Sequence, residues 1–382
     1  MSEREKYRTL GLYYLTTARN YEKAVENYTA LVQLYPADRA GHSNLALAYF
    51  YLLDFRKALD EGRRAVEIYP KNDTFRDNYA LYAMYASDFE TATREARNVI
   101  EQNPQFAKAY LRLAIAALAG GDTSAAQIAY EQMGKTGAFG ASLGNMGMAD
   151  AALYQDRFAD AEQTLTAGLA IDEGSKNSVA MAAKLVALAE LYSETGRMTR
   201  AVDTVQRALT LGRDEPVVVP AAGVLLRAGK VKDARSLADA LGQQLQPQRR
   251  AYAKILEAEI ALKEKRTLDA VEALRAAQKL ADVWLGRFDL GIAYIEAEHY
   301  AEALAELELA QKRRGEATAI FLDDIPSFRY LAPLPYWLGR AQEGVGLAAN
   351  AAASYKQFLA LRTDAANDPL AVDAQRRLDG IQ

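Results

Sequence analysis

Ser142 stands in GASLG, residues 140–144, with the G-x-S-x-G spacing of a nucleophile elbow. That chemistry needs the serine exposed on a tight strand-to-helix turn, with a histidine placed to take its proton. No strand pattern leads into Ser142, and His42 and His299 are the only histidines. A helix-capping serine between glycines accounts for the stretch better. Gly134-Lys135-Thr136 has the tail of a phosphate-binding loop, but Ala129 stands where that loop requires its first glycine. The two histidines are far apart, with no H-E-x-x-H pair and no cysteine, so a histidine or thiolate metal centre has little to build from. FLDDIPSFRY, residues 321–330, sets Asp323 and Asp324 beside a proline and three aromatics, which suits either an active-site loop or a joint. No catalytic set, metal-ligand set or cofactor motif emerges, and the expectation is a protein that is not an enzyme.

Composition narrows the partners. Fifty acids against 46 bases leave a net charge of −4, not the basic excess of a nucleic-acid binder. No apolar run approaches the roughly 18 to 20 residues needed to cross a bilayer, and the start MSEREKYR has no signal-peptide core. The expectation is a soluble chain, without membrane insertion, in a compartment that the absence of cysteine does not fix.

The elements that position these residues come from internal repeats. NYEKAVENYTALVQLYP, DFRKALDEGRRAVEIYP and DFETATREARNVIEQNP end at Pro36, Pro70 and Pro104, a period of 34 residues. An alanine column runs through Ala24, Ala58, Ala92, Ala126, Ala161, Ala201, Ala234, Ala270, Ala303 and Ala351. Twelve residues before each stands a second small residue: Ala46, Ala80, Ala114, Ala149, Ala189, Ala222, Ala258, Gly291 and Gly339, with Gly11 one residue out of register. Two antiparallel helices approach closely only where small residues meet, so each period reads as a helix pair. The anchor spacings of 34, 34, 34, 35, 40, 33, 36, 33 and 48 place insertions near 171–179 and around FLDDIPSFRY. The expected organisation is regular repeats one to four over 1–140, divergent repeats five to nine over 141–317, an insertion over 318–332, repeat ten over 333–367 and a capping helix over 368–382. In that scheme FLDDIPSFRY is first a joint between repeats nine and ten, with Asp323 and Asp324 pairing with Arg329 or capping the next turn.

The period with its small, aromatic and proline columns resembles the tetratricopeptide repeat over nearly the whole chain. That resemblance implies an all-α, right-handed superhelical solenoid of about ten helix-turn-helix repeats, whose first helices line a concave groove. Residues three and four apart on those helices then face a ligand. They are Ser43, Leu47, Phe50 and Tyr51 in repeat two, Asp77, Leu81, Met84 and Tyr85 in repeat three, and Lys108, Leu111, Ile115 and Leu118 in repeat four. For Leu81 and Leu111, packing against the neighbouring repeat is an equal expectation.

Repeats of this family that grip a chaperone's C-terminal carboxylate use a five-residue clamp, and Asn78, Lys108 and Arg112 match three of its positions. Ser43 and Leu47 stand where the clamp has lysine and asparagine, which leaves at most a partial anion site at Lys108 and Arg112. NYALYAMYASDFETA, QLQPQRRAYA and the stretch from RRGEA to WLGRAQE also resemble repeat regions that follow the kinase domain in bacterial transmembrane serine/threonine kinases and related signalling proteins. No kinase residues are present, so that likeness implies a sensing or regulatory part. The functional expectation is a scaffold that binds peptide or protein segments in its groove and is open to self-association. The alternative is a receptor for a small carboxylate held between repeats.

Overall fold

The structure, a computed structural model, describes residues 1–362 and 368–381. Residues 363–367, assigned above to the end of repeat ten, and Gln382 of the end helix lie outside the described residues. The chain forms two compact units, Met1–Gly137 and Ala138–Gln382, and among the described residues the regular structure is helical throughout. The first unit holds α1 (Glu3–Leu12), α2 (Tyr21–Leu34), α3 (Gly41–Tyr51), α4 (Phe55–Ile68), α5 (Asp73–Tyr85), α6 (Phe89–Gln102), α7 (Ala107–Ala119) and α8 (Thr123–Gly134). The second begins with α9 (Ala138–Tyr154), α10 (Phe158–Ser175), α11 (Ser178–Glu194), α12 (Met198–Leu211), α13 (Glu215–Arg227) and α14 (Val231–Gly242). It continues through α15 (Pro247–Lys263), α16 (Thr267–Leu280), α17 (Trp284–Glu296), α18 (Tyr300–Lys312), α19 (Leu334–Gly344), α20 (Ala348–Ala360) and α21 (Pro369–Ile381). No described helix is long and apolar enough to cross a membrane.

The repeat is written into caps and turns before any packing occurs. Asp54, Asp88 and Asp122 each accept a hydrogen bond from the backbone N–H three residues on, at 3.2, 3.0 and 2.9 Å. Each cap satisfies a donor that the first helical turn leaves unmatched. The residue just before each cap, Leu53, Ser87 and Gly121, takes a left-handed backbone at φ 63°, 62° and 81°. Only the glycine adopts it without steric cost, so the leucine and serine hold it against their own preference.

The two small columns form the helix crossings. All ten anchor alanines are fully buried, as are Ala46, Ala80 and Ala114 on the facing helices. A Cβ added at Gly291 would lie 2.5 Å from Leu307, and one at Gly339 would lie 2.6 Å from Tyr355. Gly11 serves the same purpose beneath the Tyr28 ring, which its missing Cβ would meet at 2.8 Å. Its shift by one residue has a cause in the backbone. A π-helical turn over Tyr13–Thr17 continues α1 and takes up the extra residue between Gly11 and Ala24.

Consecutive helices pack in order within each unit, and in the second unit α11, α13, α15, α17 and α19 also touch in succession. Within that unit the first helices of the pairs therefore line one inner face. α21 covers the end of the stack, burying Ala371, Ala374 and Leu378 against Tyr336, Tyr355 and Phe358, while Asp368 caps it by accepting from the Leu370 N–H at 2.8 Å. At the end of α20, Arg362 pairs with Asp156 in the α9–α10 turn, so the last helix pair of this unit meets the first.

Overpacking a crossing tests this register. Ala92→Leu adds three carbons where α6 has no free space, and we expect a loss of about 1 to 3 kcal/mol in chemical denaturation. A neutral result would place Ala92 away from a crossing.

Candidate functional site

In the first unit, the expected groove residues divide by burial. Phe50, Asp77, Met84, Tyr85, Arg112 and Ile115, with Leu111 and Leu118, are buried in the stack. Ser43, Leu47, Tyr51, Asn78, Leu81 and Lys108 stay half-buried. Phe50 shows why: its ring meets Phe55 at 5.6 Å and Tyr85 at 4.9 Å, both edge to face, so it joins repeats rather than facing solvent. Tyr51 stacks on Tyr21 at 4.8 Å. The presentation of Phe50, Met84, Tyr85 and Ile115 on an open surface is thus corrected, because successive first helices are close enough to cover seven of the twelve residues of the expected face.

Arg112 departs from the anion-site expectation for an electrostatic reason. It is 1% exposed and its Nε lies 3.6 Å from Asp77 Oδ1, so the cation is committed to a carboxylate within the stack. An uncompensated charge there would cost several kcal/mol.

The residues with apparent catalytic spacing have structural roles. Ser142 lies inside α9, and the buried Lys184 Nζ donates to its Oγ at 3.0 Å and to Asp172 Oδ2 at 2.5 Å. His42 is wedged between Glu61 at 2.6 Å and the Pro36 carbonyl at 3.0 Å. His299 is exposed beside the Tyr294 ring.

FLDDIPSFRY connects α18 to α19, as a joint does, and also reaches back across its own unit. Leaving α18, the chain passes through 3₁₀ turns at Arg314–Ala319 and Phe328–Leu331 and lies across the inner face of its own unit. Arg329 donates to Asp150 on α9 at 2.9 Å and to Glu190 on α11 at 2.8 Å. The Phe328 N–H donates to Asp150 at 2.7 Å, and Tyr330 Oη donates to Glu190 at 2.6 Å. Of the two expectations for Asp323, pairing with Arg329 or capping the next turn, it makes the local contact, accepting from the Ile325 N–H at 3.0 Å. The segment is a strap that reaches back across repeats, because Asp150 is 0% exposed and requires a buried cation. Burial disfavours the Arg329 charge, but Glu190 and Asp150 outweigh it and hold the pKa well above the ordinary arginine value.

Between strap and helices lies a cavity of about 710 Å³. Val219, Leu285, Ile320 and Phe321 contribute apolar wall, and Glu259 on α15 and Asp289 on α17 bring carboxylates to it. Asp289 Oδ2 is buried and accepts no hydrogen bond. Burial pushes Glu259 up to about 7, with Arg227 pulling the other way. Burial, then the charge of Glu259, lifts Asp289 well above the carboxylate range. No sequence motif marks these residues. A positional signal does exist: Asp150, Glu190 and Glu259 each immediately follow the small crossing residue of their helix, Ala149, Ala189 and Ala258. That position faces inward wherever the crossing residue packs against its partner helix. Among the described residues no group of acids and histidines is arranged to hold a metal ion.

The carboxylates give a signed pH effect. Glu259 binds its proton more tightly folded than unfolded, so its contribution to stability is complete below the ordinary value of 4.5 and is lost as pH rises through about 7. We expect a higher Tm at pH 6 than at pH 8, with the difference reduced in Glu259→Gln. An unchanged difference in that variant would assign the pH response elsewhere.

The tetratricopeptide repeat pattern matches residues 9–73, 80–136 and 146–216, just over half of the chain. No curated protein matches it. Among solved structures, yeast Tom70 aligns over 99% of this chain and 95% of its own at 11% identity, with a TM-score of 0.43. A tetratricopeptide repeat protein from Parabacteroides merdae aligns over 73% of this chain and 93% of its own, at 15% identity and a TM-score of 0.41. A chain of the APC/C hetero-tetramer Cut9–Hcn1 covers 100% of this one and 92% of its own, at 14% identity and a TM-score of 0.39. Its repeats matched in three stretches and its small-residue crossings in place, the chain belongs to the tetratricopeptide repeat family.

Proposed function

We propose that this protein is a non-catalytic scaffold that binds peptide or protein segments on the inner face of its repeats. The observation that carries this reading is the strap. A non-α-helical stretch of the chain itself, bends followed by a 3₁₀ turn, lies on first helices, held by an arginine, a tyrosine hydroxyl and a backbone N–H on inward-facing acids. A surface that holds one short segment through these contacts has the chemistry to hold another. In the first unit we assign partner contact to the half-buried Ser43, Leu47, Tyr51, Asn78 and Lys108, with Phe50, Asp77, Met84, Tyr85, Arg112 and Ile115 as the packed layer that fixes their spacing. Within this reading the chain serves as the sensing or regulatory part of a bacterial signalling protein, as the likeness to kinase-linked repeats implies.

The cavity favours a second reading, a receptor for a small ligand. Its volume falls in the range of ordinary ligand sites, and apolar walls with a few polar groups are the usual lining of such sites.

Selection from a displayed peptide library tests the scaffold reading. Peptides enriched on the wild-type chain should bind at least tenfold more weakly to a Leu47→Ala, Tyr51→Ala, Lys108→Ala variant whose helical circular dichroism is intact. Equal binding to the variant would remove the first unit's face from the proposal, and a selection without enrichment would overturn the scaffold.

A further inference from the structure

We infer that the cavity beside the strap binds an organic cation, a guanidinium or alkylammonium group on an apolar stem. This rests on the reading that the cavity receives a ligand, and adds the ligand's charge and shape. The strap supplies an internal precedent. At Asp150 and Glu190 the inward-facing acids of α9 and α11 are met by Arg329, whose guanidinium bridges them at 2.9 and 2.8 Å beside the aromatic Phe328 and Tyr330. The next acid in that position, Glu259 on α15, and Asp289 on α17 receive no such cation from the strap. Both line the cavity, as do the strap-bound Glu190 and, on α17, Glu296, and Asp289 Oδ2 is buried there without a donor.

The first helix between α11 and α15 is open at the same position. α13 carries Gly223 there, and a Cβ on it would lie 3.9 Å from Glu259 Oε2, so no side chain at 223 screens that carboxylate. Three cations also line the cavity and need accounting. Arg227 is turned to the end of α11, donating from Nε to Ser193 Oγ at 2.8 Å and lying 3.4 Å from Glu194. Lys263 and Lys265 are exposed near the end of α15. Val219, Leu285, Ile320 and Phe321 give the stem of a ligand an apolar wall, while Glu259 and Asp289, releasing protons to solvent as the cation enters, provide the charge that a buried cation requires.

Titration calorimetry on the full chain with four probes tests the inference: n-butylguanidinium, n-pentylammonium, neutral n-pentanol and n-pentanoate. The two cations should bind, and Asp289→Asn should weaken them at least tenfold, as should Glu259→Gln. Both substitutions replace a carboxyl group by a near-isosteric neutral amide, so loss of folding is not the expected consequence, and circular dichroism checks it. Binding of pentanol or pentanoate as tight as that of the cations would overturn the inference while leaving a ligand cavity. Cation binding unchanged in both variants would overturn it too, and binding of none of the four would remove the cavity reading with it. A pentapeptide with central arginine and its citrulline counterpart identify the source. Tighter binding of the arginine peptide than of butylguanidinium points to a partner's side chain, and weaker binding points to a free amine or guanidine; either supports the cation.

Discussion

Close approach of paired helices is the constraint on which everything else in this protein depends. A helix pair of this kind has no sheet to pack on, so each pair must bury its own seam against its neighbour. That is achieved where Ala92 meets the preceding helix, where Leu307 fills the space left by Gly291, and where the Tyr355 ring fills the space left by Gly339. Dense packing leaves no tolerance there, because a core at crystal-like density cannot absorb an added methylene without shifting its neighbours. Once the crossings are fixed, the residue following each small position on a first helix is fixed as well.

That geometric consequence links fold to chemistry. Asp150, Glu190 and Glu259 share one position in the repeat, yet they meet different surroundings. The first two are held by a strap that donates through Arg329, Tyr330 and a backbone N–H. The third joins Asp289 at a cavity in which burial keeps both carboxylates above their usual range. Buried carboxylates that lack a cation lower the stability of a fold, so their persistence is informative where a cavity adjoins them. The Asp77–Arg112 and Asp172–Lys184 pairs make the contrast, since there the cation comes from the stack itself.

Much of the fold could be read directly, and specific residues show why. Caps at Asp54, Asp88 and Asp122, the two small columns and the end helix beginning at Pro369 are local features, each readable within a few residues of chain. The inner face was harder. A spacing of three and four picks out one helical side, but that side is shared between solvent and the next repeat. Phe50, Met84 and Tyr85 went to the neighbour, while Leu47 and Tyr51 kept partial access. Periodicity alone carries no information on which of two surroundings a large side chain meets. Gly11 is the converse case, an irregularity in sequence that a single π-helical turn absorbs.

By itself the sequence determined the all-helical repeat, its crossing residues, its capping and the absence of a recognisable catalytic set, because those properties follow from residue size and hydrogen bonding over one period. Only the tertiary structure decided the course of FLDDIPSFRY and the site beside it. Arg329 finds its acids 179 and 139 residues earlier in the chain, a pairing that no local pattern encodes. The cavity exists only when residues of six helices, α11, α13, α15, α16, α17 and α19, and the strap enclose it, and its charge is set by which acids the strap reaches and which it leaves.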